Sequence, residues 1–154
     1  MTLIPQTVNG KPLTLKTLGE LVQKPLKGAP TKYEYFNLGE YNDLPAPASH
    51  WALLSRDVIP GSRKQNYSTQ QQLVAKYPEY VVPTILDAAV SIFLEYLKTG
   101  TCLYGQNPWT YTYCQEKYRK DWQLLLGGCA PSGVLVFSNC YDREGIGVGA
   151  LRKF

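Results

Sequence analysis

The chain of 154 residues contains a single histidine, only 18% charged residues, and four cysteines that never fall in a Cys-x-x-Cys pair. Each scarcity excludes something. With one imidazole, any histidine base has to be His50, and a centre built on several histidines cannot be assembled. Without paired cysteine spacing, neither a zinc ribbon nor a thioredoxin-like site is expected, so the expected metal and cofactor content is none. No run approaches the ~20 consecutive apolar residues of a membrane-crossing helix. The opening residues, Met1-Thr2-Leu3-Ile4-Pro5-Gln6, have neither the basic nor the apolar region of a secretory signal. Thr2 stands where N-myristoylation needs glycine, and Lys153-Phe154 is no prenylation box, so no membrane partner is expected. The net charge of +4 is scattered, not gathered into the stripe of a nucleic-acid binder, and nucleic acid is not an expected partner. The expected location is cytoplasmic, with Cys102, Cys114, Cys129 and Cys140 as reduced thiols. The alternative is export without a classical signal peptide, where an even cysteine count leaves disulfides open.

What is present is an ordinary globular composition. Hydrophobic residues make up 44%, and a chain of this length can bury a core without a staple. Tyrosine, at 12 copies, combines an apolar ring with a polar tip and suits half-buried sheet faces and contact surfaces. Residues 1–12 carry Pro5, Asn9-Gly10 and Pro12 without periodicity. They are expected to be a flexible lead-in, followed by one globular domain over 13–154.

Within that domain, Leu15, Leu18, Leu21 and Val22 predict a short amphipathic helix ended by Pro25. Tyr33 to Leu38 and Trp51 to Arg56 predict strands, the second one buried. Ser68 and Gln71 have capping-box spacing ahead of a helix that Pro78 stops. The strongest signal covers 83–99. Thr84, Asp87, Ser91, Glu95 and Lys98 form one polar stripe on an otherwise apolar helix, and Gly100 supplies its C-terminal cap. Then come strand patterns at 110–115, 122–127, 134–138 and 146–151, separated by short connections that include a charged loop over 117–121. Short connections imply antiparallel neighbours. The expected fold is therefore α+β: an antiparallel sheet of four to six strands ending in a C-terminal β-meander, packed on the apolar helix 83–99.

Candidate chemistry is thin. If the chain is an enzyme, His50 would be the base, with Cys114 as nucleophile and Asp57 as orienter, giving a small Cys/His-dependent hydrolase or transferase. Asp87 and Glu95 share a helix face, as acid–base carboxylates can, but the polar edge of a buried helix accounts for them, and Glu95 can pair with Lys98. Gly145, Gly147 and Gly149 look like part of a dinucleotide fingerprint without the helix that must follow. At alternate strand positions they instead leave one face bare for a close neighbour. The charges of interest sit in two loops beside tyrosines. The expected binding residues are Arg56, Arg63, Lys64, Tyr67, Tyr104, Trp109 and Arg119.

Three runs taken together carry a resemblance: His50-Trp51-Ala52-Leu53-Leu54-Ser55-Arg56-Asp57-Val58-Ile59-Pro60-Gly61-Ser62-Arg63, Asn107-Pro108-Trp109-Thr110-Tyr111-Thr112-Tyr113-Cys114-Gln115-Glu116, and 145–154. They resemble, over about 50–154, an uncharacterised domain of proteins from intracellular bacteria, sometimes attached to leucine-rich or F-box-like segments. The resemblance implies no activity and favours an interaction module. The expected function is a non-catalytic, host-directed recognition module whose partner is a protein or an anionic ligand, with the Cys/His enzyme as the alternative.

Overall fold

A computed structural model describes residues 1–26, 30, 33–35, 38–105, 107–119, 122–130, 133–139 and 143–154. Its helices follow the sequence signals closely. Helix α1 (Leu15–Gln23) opens on a capping box between Thr14 and Thr17, and buries Leu15, Leu18 and Val22. Helix α2 (Tyr67–Ala75) starts earlier than Ser68 would dictate. Asn66 is the N-cap, its side-chain carbonyl accepting from the Thr69 N–H at 2.9 Å. Helix α3 (Ile85–Thr99) is capped by Thr84, which accepts from the Asp87 N–H, and ends on Gly100 in the left-handed conformation that glycine adopts most freely. Pro83 precedes this cap and does not open the first turn.

The strands are β1 (Thr2–Ile4), β2 (Thr7–Val8), β3 (Lys11–Pro12), β4 (Tyr33–Tyr35), β5 (His50–Leu54), β6 (Tyr111–Arg119), β7 (Trp122–Ala130), β8 (Gly133–Asn139), β9 (Ile146–Gly147) and β10 (Leu151–Lys153). Strands β6, β7 and β8 form the antiparallel meander at the centre of a five-stranded sheet of order β4-β8-β7-β6-β9. Its edges, β4 and β9, are added in parallel. A smaller antiparallel sheet has the order β1-β5-β10, and β2-β3 is a separate hairpin. Helix α3 packs against strands of both larger sheets, so the α+β fold, with a C-terminal meander on an apolar helix, is the observed one.

Several expectations are corrected in detail. Residues 1–12 are not a flexible lead-in. Strand β1 pairs with β5, and Ile4 is completely buried in the main core. A three-residue strand such as Thr2–Ile4 is too short to show periodicity in the sequence. Lys117 to Arg119 continue strand β6 across bulges, whereas 120–121 lie outside the described residues. The polar stripe of α3 faces solvent only in its last turns, for Asp87 and Ser91 are buried.

The final segment does not form a fourth meander strand. It leaves β8, pairs as β9 with the far edge of the sheet, then crosses to the small sheet as β10. The glycines make this possible. A Cβ on Gly147 would lie 2.7 Å from Val58 Cβ, and one on Gly149 would lie 2.4 Å from the Tyr104 hydroxyl. The bare face anticipated from their alternate spacing is thus occupied by the 58–62 loop and by Tyr104. Between the sheets the backbone is satisfied by hydroxyls: Ser62 accepts from Val148, Thr112 from Gly149 and Ser55 from Ala150.

Cys114 is a free, buried thiol, but Cys102 is disulfide-bonded to a partner outside the described side chains, which corrects the expectation of four reduced thiols. Cys129 and Cys140 fall outside the described side chains. Alkylation of the denatured, unreduced protein should therefore label Cys114 and leave Cys102 unlabelled until reductant is added, as read by peptide mass mapping. Gly149→Ala should lower stability by about 1–3 kcal/mol, the usual cost of overpacking a close contact. An unshifted urea midpoint would show that Tyr104 is not seated against that segment.

Candidate functional site

The small sheet carries apolar side chains on both faces. Alternation along β5 turns Ala52 inward, where it is completely buried with Ile4 and Leu151, and turns Trp51 and Leu53 outward. Directly opposed residues in an antiparallel pair share a face. Leu3 is opposite Trp51 across β1, and Phe154 is opposite Trp51 on the other side, joined through two backbone hydrogen bonds. The result is a cross-strand row, Leu3–Trp51–Phe154, with Leu53 beside it. The four are 43%, 46%, 57% and 36% exposed, respectively. The Arg152 guanidinium lies over the Phe154 ring at 4.7 Å and pairs with Glu79 at 2.6 Å. Sequence reasoning missed this face because it treated the β5 segment as wholly buried and residues 1–12 as unstructured. The Trp-Ala-Leu alternation in β5 was the available signal.

Behind that sheet lies a charge cluster. The Asp87 carboxylate, in the first turn of α3, is buried. It meets His50 Nε2 at 2.9 Å through Oδ1 and Lys153 Nζ at 2.7 Å through Oδ2, the second contact an ion pair off the line of a good hydrogen bond. His50 Nδ1 is 3.0 Å from the Ala48 carbonyl. Its two ring nitrogens therefore face protein oxygens, Asp87 on one side and Ala48 on the other. Nearby, Glu116 accepts from the Ile85 N–H at 2.9 and 3.0 Å, satisfying a first-turn donor of α3. Burial raises its pKa to about 7, opposed by its hydrogen bonds and by Lys153 and assisted by Asp87.

The catalytic set expected from the sequence is not assembled. Asp87, not Asp57, faces His50. Asp57 is mostly exposed, accepts from the Val58 N–H at 2.7 Å and lies 3.7 Å from Arg63. Cys114 is completely buried and its pKa is raised well above normal by burial, then by Glu116 and Asp87. A nucleophilic cysteine needs access and a lowered pKa.

The expected binding residues divide. Arg56 is 81% exposed and only loosely paired, 3.9 Å from Glu95. Arg63 donates to the Glu144 carbonyl at 3.0 Å, and Lys64 lies 3.7 Å from the Glu144 carboxylate. Because a Cβ on Gly145 would stand 2.5 Å from the Trp109 carbonyl, these two cations and the exposed Trp109 gather around Glu144-Gly145. Their positive charge is largely mated. Tyr67 is half-buried, edge-on to Tyr113 at 5.5 Å, with its pKa raised to about 12 by burial. Tyr104 is corrected outright: it is buried beneath Gly149 and has no surface to offer. The Arg119 side chain lies outside the described ones.

Among the described residues, no group of three or more His, Cys, Asp or Glu could hold a metal ion, and no helix is long and apolar enough to cross a membrane. No known family model, curated protein or solved structure matches the chain.

The raised Glu116 pKa has a definite sign in stability. Between its ordinary 4.5 and about 7, the unfolded chain gives up this proton while the folded chain keeps it. The stability this group supplies is complete below 4.5 and is lost as pH rises through about 7. Glu116→Gln keeps an acceptor for Ile85 and cannot ionise. Its urea midpoint should fall less than that of the wild type between pH 5 and pH 8. Parallel profiles would refute the assignment.

Proposed function

We propose that this chain is a non-catalytic recognition module that holds a protein partner on the outer face of its small sheet. The observation that carries the reading is the exposed row Leu3–Trp51–Phe154 with Arg152 beside it. Large apolar side chains aligned on one rigid face are costly to leave in water, and aromatics and arginine are the residue types that dominate binding energy in protein interfaces. The net charge of +4 works against pairing with a second copy and favours an acidic partner. The Cys/His enzyme reading has less support, since Cys114 is buried with its pKa raised and Asp87, not Asp57, faces His50.

The disulfide at Cys102 favours an oxidising compartment of the cell over a reducing one. The loop cations Arg56, Arg63 and Lys64 would make a weaker anion site than their number implies, because acidic neighbours already face them.

Photo-crosslinking tests this directly. With p-benzoylphenylalanine in place of Trp51, one covalent adduct with another protein is expected in the cells that make this chain. Phe154→Ser should reduce its yield several-fold, and the same probe in place of the exposed Lys117 should give none. An adduct with the mass of two copies would overturn the heterologous partner. No adduct at all would overturn the module reading.

A further inference from the structure

Between α1, α3 and the β2–β3 hairpin runs an apolar slot of about 680 Å3, within the range in which proteins hold small molecules. Its floor is Leu13, Leu18, Val22, Val90 and Phe93, all buried. The mouth differs. Leu26 is fully exposed, Leu94 is exposed, and Lys24 and Lys98 stand beside them. Neither ammonium has an acidic partner among the described residues. Glu95, the helical neighbour that could have paired with Lys98, faces Arg56 instead.

We propose that this slot binds one free long-chain carboxylate, with its hydrocarbon on the floor and its head group at the mouth beside Lys24 and Lys98. A floor lined by apolar side chains gives a polar chain no hydrogen-bond partners, so the enclosed part of the ligand is hydrocarbon. Two unmated ammoniums at the open end select an anionic head. The floor side chains are buried, and the apolar surface open to a ligand is supplied around them by Leu21, Pro25, Leu26, Leu94 and Leu97. This site is separate from the Leu3–Trp51–Phe154 face and does not depend on it.

Titration with cis-parinarate, a long-chain polyene carboxylate that brightens on leaving water, tests the proposal on the whole chain. A saturable one-to-one rise is expected, reversed by palmitate and not by hexadecyltrimethylammonium. Lys24→Glu combined with Lys98→Glu should weaken binding about tenfold or more, the scale of one lost charge-assisted contact. Leu94→Glu, at an exposed position that leaves the core intact, should abolish the signal with an unchanged thermal midpoint. Trp51→Ser should leave binding unchanged. The proposal is overturned if there is no saturable rise, if the cationic amphiphile displaces the probe equally well, or if both slot variants bind as the wild type does. Co-sedimentation with phosphatidylglycerol vesicles by a protein that ignores the free probe would also overturn it, and would assign the slot to a membrane.

Discussion

Residues 146–153 connect the two larger sheets, and the rest of the molecule depends on how closely they can approach their neighbours. A strand that leaves one ladder for another passes through a gap where its backbone donors have no strand partner. Here Ser62, Thr112 and Ser55 fill that role with side-chain oxygens, and the Ile59 and Ser55 N–H groups donate to the Val148 and Ala150 carbonyls. Such bonds need close contact, and Gly147 and Gly149 allow it by presenting no Cβ to Val58 and Tyr104. Tyr104 itself has φ +64°, uncommon for a bulky residue, and is held there by its buried ring.

The crossing also places the last residues. Strand β10 completes the small sheet and brings Lys153 inward to Asp87 while Arg152 and Phe154 point outward. The charge cluster ties β5, α3 and β10 together through one buried carboxylate, and Glu116 from β6 meets the same helix end. A carboxylate in this position would be a poor choice without cations, because burial disfavours its charge. With His50 and Lys153 on its two oxygens, and the α3 N-terminus behind it, the charge is met from three sides. The same arrangement ties the one imidazole in the chain, on β5, to the first turn of α3.

Among the described residues, two apolar surfaces stand out after the core is closed. One is the outer face of the small sheet, where β5 is flanked by a strand from each end of the chain. The other is the slot between α1 and α3, where the last turns of α3 expose Leu94 and Lys98 after its first two turns are wholly enclosed. Both arise from one fact: α3 and β5 are central to the core but longer or broader than the core needs.

Much of the local structure was legible in the residues themselves. The apolar stripe of α1, the apolar length of α3, its stop at Gly100 and the three meander strands follow from short-range preferences that survive folding. Gly147 and Gly149 announced a close approach without naming what approaches. The surfaces were not legible, because exposure is a property of pairing. Trp51 reads as a core residue until β1 and β10 are seen to flank it and turn its face outward. Asp87 reads as a solvated helix edge until Lys153, 66 residues later by sequence number, closes over it. Sequence alone determined which segments become helix or strand, since those choices rest on contacts a few residues apart. Only the tertiary structure decided which apolar faces stay open and which charges meet, since both depend on strands drawn from opposite ends of the chain.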